Sequence, residues 1–85
     1  MKKVISVKPL EGAKVAVVFS DGMSGVFDVA PYIRGDFFRR LEDDVYFRQV
    51  RLFFGGIGWP DGQDLGPDTI AADLQVQREA LARAK

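Results

Sequence analysis

The fold of this chain is decided by residues 55–70, which read GGIGWPDGQDLGPDTI. This stretch holds the only tryptophan, Trp59, together with five of the nine glycines and two of the four prolines. Glycine supplies positive φ where a chain reverses, proline fixes φ, and aspartate side chains bond back to nearby N–H groups. The stretch therefore predicts a compact set of turns around Trp59, whose indole N–H needs an acceptor.

We interpret this stretch as a structural anchor. Its members are the tryptophan and the turn formers that follow it, namely Trp59, Pro60, Asp61, Gly62, Asp64 and Asp68. Each of the three carboxylates is expected to accept a hydrogen bond from its own turn or from the following helix. A divalent-cation site at Asp61, Asp64 and Asp68 is an alternative, because calcium and magnesium prefer oxygen ligands. The spacing does not match an EF-hand loop, and we expect neither a metal nor a cofactor.

The composition narrows the function classes. The chain has 85 residues, which is room for one hydrophobic core. It contains neither cysteine nor histidine, which removes thiolate nucleophiles and the commonest general base. Twelve basic residues balance twelve acidic ones, so no net field attracts nucleic acid or an anionic membrane. With no apolar run of signal-peptide or transmembrane length, we expect a cytoplasmic protein that does not bind membranes. Because histidine and cysteine are missing, we also expect that it is not an enzyme.

Apolar alternation predicts a three-stranded antiparallel meander. Strands are expected at residues 4–8, 14–19 and 25–29. The dipeptide Asp21-Gly22 between the second and third runs is typical of a two-residue hairpin loop, which pairs Ser20 with Met23 and gives Gly22 a positive φ. Apolar residues on both faces of the second strand favour a central strand covered on two sides.

The remaining pattern predicts short helices, a second short β-hairpin and a C-terminal helix, so the fold class is α+β. Short helices are expected at residues 31–33, 37–41 and 45–49, and short strands at 50–54, 57–59 and 63–65. Residues 1–72 are expected to form a single α+β domain, with residues 73–85 as a helical extension. The apolar positions of these elements predict a core of Val15, Val17, Phe19, Val26, Phe27, Phe37, Leu41, Phe47, Leu52, Ile57 and Trp59.

Several of these motifs, taken in order, resemble a known family. The sequence FSDG at 19–22 precedes VFDV at 26–29, and WPDGQDLGPD follows at 59–68. This layout is similar to domain-of-unknown-function family 2442, a group of small bacterial proteins, over roughly residues 4–72. The resemblance implies a small α+β fold and a gene context like that of toxin–antitoxin pairs. It implies no catalytic residues, because the family has no settled activity.

A protein-interaction or regulatory, antitoxin-like module is the first functional hypothesis. The C-terminal helix, from about Asp68, is expected to dock through Ile70 and Leu74, while its distal half has more apolar surface than one small core covers. An isolated helix of this length is marginal in water, so its distal half either frays or is covered by a protein partner or a second copy. The possible contact residues are Val76, Ala80, Leu81 and Ala84.

A nucleic-acid-binding regulator is the alternative hypothesis. Residues 34–51 interleave arginine with aromatic side chains, as proteins that bind single strands do. Glu42, Asp43 and Asp44 lie in the middle of this block and cancel much of its positive charge. An amphipathic helical segment with buried phenylalanines and solvated arginines explains the same pattern.

Overall fold

Two three-stranded antiparallel sheets form the frame of the protein in a computed structural model that describes residues 2–83. The first sheet contains β1 (Val4–Leu10), β2 (Lys14–Phe19) and β3 (Ser24–Asp28) in sequence order. The second contains β4 (Arg51–Phe53), β5 (Gly56–Gly58) and β6 (Asp64–Leu65), again in sequence order. With the helices described next, these sheets confirm the predicted α+β class, including the meander and the second hairpin.

Short helices connect the two sheets, and one longer helix follows them. A 3-10 turn (Ala30–Tyr32) is followed by α1 (Gly35–Arg39), a second 3-10 turn (Arg40–Glu42) and α2 (Asp44–Phe47). Asp43 caps α2, because its carboxylate accepts a hydrogen bond from the backbone N–H of Val45 at 3.0 Å. The longer helix is α3 (Pro67–Arg83), and its first-turn proline and Asp68 suit a helix N-terminus. Within residues 2–83, no helix is long and apolar enough to cross a membrane.

The connection between β2 and β3 differs from its prediction by one residue. Met23 faces Phe19 rather than Ser20, since the Phe19 N–H donates to the Met23 carbonyl at 2.7 Å. The loop therefore contains three residues, 20–22, and ends on Gly22 at φ +91°. The predicted positive φ is confirmed, but the predicted register is wrong. A three-residue hairpin loop also needs a left-handed residue at its end, so an Asp-Gly pair serves both loop lengths.

The core lies on one face of the first sheet, against the second sheet and the docked part of α3. Eight of the predicted core residues are buried. They are Val15, Val17, Phe19, Phe27, Leu41, Phe47, Ile57 and Trp59. The core also takes in Val4, Val29, Tyr46, Leu65, Ile70 and Leu74.

Three of the predicted core residues are exposed instead. Val26 is 43% exposed, Phe37 54% and Leu52 47%. Val26 lies on the outer face of the first sheet, where Val18 is also exposed, so the predicted cover on both sides of β2 is wrong. Antiparallel sheets commonly bury one face and leave the other to solvent. Leu52 belongs to an edge strand, which has a neighbouring strand on one side alone.

The first half of α3 docks on both sheets, through contacts with β3 and β5. A Cβ atom at Gly25 of β3 would lie 2.9 Å from Cδ2 of Leu74, which is closer than nonbonded carbon atoms come. A side chain at this position would therefore require the end of the Leu74 side chain to shift. The hydroxyl of Tyr32 adds a hydrogen bond to the Asp73 carboxylate at 2.8 Å. These contacts hold residues 67–74, which we call the docked half of α3.

Candidate functional site

Trp59 lies at the centre of the turn-rich stretch and is buried. Its indole Nε1 donates a hydrogen bond to the carbonyl of Phe47, the last residue of α2, at 2.9 Å. The ring centroids of the two residues are 5.6 Å apart, at an angle of 38°. The expected acceptor for the indole is thus a backbone carbonyl at the end of a helix, where the last carbonyl groups lack a partner within the helix.

A buried glutamine connects the same stretch to the helical segment. Oε1 of Gln63 accepts a hydrogen bond from the hydroxyl of Tyr46 at 2.7 Å, and Nε2 donates to the carbonyl of Phe37 at 2.7 Å. The Tyr46 hydroxyl in turn accepts from the backbone N–H of Asp61 at 2.8 Å. We call these interactions, with that of Trp59, the 59–63 network. Each of its bonded polar groups is satisfied within the protein, as burial requires.

Sequence reasoning missed both Gln63 and Tyr46 as members of this network. Gln63 is the one long amide side chain in a run of turn formers, which is the signal that sets it apart. Tyr46 lies 17 residues earlier in the chain, inside the arginine and aromatic block, so no local pattern links the two residues. Their pairing depends on how α2 packs against the turn that leads into β6.

The three aspartates of the predicted anchor do not converge on one point. The Asp61 carboxylate forms an ion pair with Arg40, whose guanidinium also lies 4.3 Å from the centroid of the Tyr46 ring. Its partner thus comes from the second 3-10 turn rather than from the local turn that the sequence predicts. Asp64 is exposed in β6, and Asp68 lies in the first turn of α3. Across residues 2–83, no three acidic side chains are grouped so that they could hold a metal ion.

The arginine and aromatic block of residues 34–51 packs as a helical segment. Arg48 Nε lies 2.9 Å from Oδ2 of Asp44, and this hydrogen-bonded pair raises the pKa of the arginine. Arg39 lies near Asp36 at 3.6 Å, and Arg40 pairs with Asp61 as described above. Tyr46 and Phe47 are buried, so their rings are not free to stack on bases. The block therefore offers less to a nucleic acid than its sequence indicates.

The second half of α3 is exposed to solvent, in contrast to the buried 59–63 network. Every side chain from residue 75 to residue 83 is exposed, and we call this segment the free half of α3. Val76 is 65% exposed and Leu81 68%, and Ala80 is exposed between them. Ala84, the fourth predicted contact, lies outside the described residues. The helix thus changes from docked to exposed within one turn after Leu74.

Phe54 is an exposed residue to which sequence reasoning gave no role. It forms the β4–β5 loop with Gly55, between the paired residues Phe53 and Gly56. Both loop residues have positive φ, +46° and +82°, as a type I′ turn requires. Asparagine normally occupies the first of these positions, and positive φ is unusual for a bulky side chain. Phe54 is also 90% exposed, so it strains the backbone without packing in the core.

Comparison of the sequence with protein-family models gives a match. The model described as "Protein of unknown function (DUF2442)" matches residues 4–75, which is most of the chain. The chain belongs to the DUF2442 family. Comparisons with curated proteins and with solved structures give no match.

The DUF2442 match divides the candidate sites into two groups. The 59–63 network and Phe54 lie within the matched residues, whereas almost all of the free half of α3 lies beyond residue 75. The match therefore ends one residue after Leu74, the last buried residue of α3 in the described part of the chain. The docked half of α3 therefore lies within the family match, and the match says nothing about residues 76–83.

Proposed function

We propose that the protein is a non-catalytic protein-interaction module and that the free half of α3 is its contact surface. The observation that carries the proposal is the exposure of every side chain from residue 75 to residue 83, with Val76 and Leu81 among them. A helical segment of nine residues gains little stability by itself in water. A protein that covers Val76 and Leu81 would stabilise the helix and bury apolar surface at the same time.

A non-catalytic role is supported by the chemistry of the chain. The sequence has no histidine or cysteine to act as a general base or thiol nucleophile. The polar side chains at its centre, Tyr46 and Gln63, bond to each other and to the backbone. They are thereby engaged in holding the turn between β5 and β6.

Within this function we propose a regulatory, antitoxin-like role in the cytoplasm. The support is the resemblance to small bacterial proteins encoded in toxin–antitoxin-like arrangements, together with an exposed helix that is available to a partner. Co-purification of the chain with the product of an adjacent gene, and fractionation of host cells, test these two statements separately.

Deletion of residues 76–85 tests the proposed contact surface. Ile70 and Leu74 remain in place, so the domain should keep its far-UV circular dichroism and its cooperative unfolding. Self-association, measured by light scattering, and partner capture from a host extract should both be measured, and at least one should be lost. The paired substitution Val76→Gln with Leu81→Gln should reproduce the loss, since glutamine keeps helix propensity and removes apolar area.

The matched control is Ile5→Thr, which alters an exposed apolar residue of the first sheet. Threonine preserves strand propensity, so this variant should keep both the fold and the association. If the deletion leaves the solution mass and the captured proteins unchanged, the free half of α3 is not a contact surface.

A further inference from the structure

The first sheet has two edge strands, and one of them, β1, is protected against pairing with another chain. The backbone N–H of Val4 donates across this edge to the carbonyl of Gly55 at 2.8 Å. Pro9 has no N–H group, and the pairing of β1 with β2 is irregular between Val4 and Ser6. A covering segment, proline and a bulge are the devices by which proteins block an edge strand.

The other edge strand, β3, shows none of these devices. It contains neither proline nor lysine, and its register with β2 runs without a shift along the whole strand. The docked half of α3 packs against it at Gly25, on the buried face of the sheet. Its one charged residue, Asp28, lies at its end and accepts a hydrogen bond from the N–H of Ala30 at 3.1 Å. β3 is therefore the open edge of the first sheet.

The hydrogen bonds that flank β3 decide which of its main-chain groups point away from the sheet. The N–H of Phe19 donates to the carbonyl of Met23, and the N–H of Val29 donates to the carbonyl of Ala13. In an antiparallel pair, residues that bond to the neighbouring strand alternate with residues that do not. The residues of β3 whose main-chain groups point outward are therefore Ser24, Val26 and Asp28.

These outward groups have no partner within the described part of the chain. None of the three N–H groups and none of the three carbonyl groups takes part in a hydrogen bond among residues 2–83. Water or another strand must satisfy them. The side chain at the middle of the edge, Val26, is 43% exposed. A strand added here would bond to the main chain of β3 and would also bury part of this valine.

We propose that two copies of the chain associate by antiparallel pairing of their β3 strands about a two-fold axis at Val26. This register places Val26 opposite Val26 of the second copy, and Ser24 opposite Asp28. Each facing pair exchanges two N–H···O bonds, because the groups of both residues point outward. The two first sheets then become one continuous sheet. The pair is closed, since each copy uses its open edge once.

This register makes the edge complementary to itself. It pairs all three outward residues, whereas a shift of two residues in either direction leaves two facing pairs. A further shift towards the end of β3 would place Asp28 opposite Asp28, and like charges directly opposite each other are destabilising. In the proposed register the hydroxyl of Ser24 is instead able to donate to the Asp28 carboxylate of the second copy. The inference goes beyond the proposed function, because the contact is a strand and not the free half of α3.

Charges placed at the two-fold position test the inference. Val26→Lys puts two ammonium groups opposite each other, so we expect dimerisation of the full chain to weaken by about tenfold or more. Val26→Glu should have the same effect. An equimolar mixture of the two variants should form a heterodimer, because opposite charges then face each other. Sedimentation equilibrium measures all three samples.

Ile5→Lys is the matched control. It also replaces an exposed apolar residue of the first sheet by lysine, but on β1, at the opposite edge. This variant should dimerise like the wild type. Equal weakening by Ile5→Lys and Val26→Lys, or a mixture of the Lys and Glu variants that stays monomeric, overturns the inference.

Amide hydrogen exchange, followed by NMR, tests the register residue by residue. The outward N–H groups of residues 24, 26 and 28 should exchange slowly in concentrated wild-type protein and quickly in Val26→Lys. The N–H groups of Gly25 and Phe27 bond to β2, so they should stay protected in both and show that the variant is folded. Fast exchange of the outward groups in a wild-type dimer would exclude pairing through β3.

Deletion of residues 76–85 separates this inference from the proposed function. β3 remains intact in the shortened chain, so the dimer should persist. A dimer that disappears on deletion but tolerates Val26→Lys uses α3, which overturns the inference and supports the proposed function. A wild-type chain that stays monomeric at all accessible concentrations also overturns the inference. The proposed function survives that result if the deletion still abolishes capture of a different protein.

Discussion

Residues 59–65 and the free half of α3 are stabilised by different interactions. The first stretch is mostly turn, yet side-chain hydrogen bonds from Trp59, Tyr46 and Gln63 fasten it to the helical segment. The free half is regular helix throughout, yet all its described side chains are exposed. Regular backbone structure and tertiary stabilisation are therefore separate properties in this molecule. The irregular stretch is expected to be the more stable of the two.

Removal of the central aromatic ring should produce the largest effect. Trp59→Ala leaves a cavity and also removes the donor to the Phe47 carbonyl, so we expect a loss of about 3–5 kcal/mol in the free energy of unfolding. Chemical denaturation followed by circular dichroism measures this loss. A midpoint equal to that of the wild type would show that residues 59–65 do not depend on Trp59.

Replacement of the buried amide should produce the next largest effect. Gln63→Leu leaves the Tyr46 hydroxyl without an acceptor for its proton and removes the amide donor to the Phe37 carbonyl, and each unsatisfied group costs roughly 1–3 kcal/mol. Tyr46→Phe should destabilise by a similar amount. Because the two residues share a hydrogen bond, the double variant should lose less stability than the sum of the single variants. Additive losses would mean that the bond does not couple them.

Relief of the strained loop should stabilise the protein. Phe54→Asn keeps the type I′ turn with a residue suited to positive φ, so we expect a gain of roughly 1 kcal/mol in unfolding free energy. Phe54→Leu is the matched control, since it removes the aromatic ring but retains the strain. Equal stability of the two variants would locate the effect in the ring rather than in the backbone.

Alkaline pH should weaken the attachment of the docked half of α3. The hydrogen bond from Tyr32 to Asp73 raises the pKa of the tyrosine above its ordinary value of 10.0. The stabilisation is fully present below pH 10.0 and is lost as the pH rises through the higher pKa of the folded state. The difference in melting temperature between wild type and Tyr32→Phe should therefore shrink above this range. A constant difference would show that the bond does not contribute.

Changes in the free half of α3 should have the smallest effect on folding. Val76→Gln with Leu81→Gln alters side chains that are already exposed, so we expect a change within about 0.5 kcal/mol for the isolated chain. Denaturation at a protein concentration low enough to exclude association measures this value. A much larger loss would mean that these residues pack against the domain.

Local sequence patterns predicted the structure correctly where the deciding interactions join residues that are close together in the chain. The predicted strands, the positive φ of Gly22 and the burial of Trp59 follow from alternation, turn chemistry and side-chain size. The long helix follows from a proline and an aspartate at its start and from helix-forming residues after them.

Two further features of the fold could not be predicted from local sequence patterns. The one-residue shift between β2 and β3 required knowledge of the loop length, which Asp21-Gly22 leaves open. The exposure of Val26, Phe37 and Leu52 depends on which faces the other elements cover. Apolar character alone shows that a residue is able to enter a core, but not that space exists for it.

The sequence by itself determined the elements, the family and the character of the 55–70 stretch. Only the tertiary structure decided that Gln63 bonds to Tyr46 across 17 positions and that Arg40 reaches Asp61 across 21. It also decided that the burial of α3 ends at Leu74, whose side chain lies against Gly25 of β3. The physical reason is distance along the chain. Propensities and turn chemistry act over a few residues, whereas side-chain pairing and burial depend on segments that packing brings together.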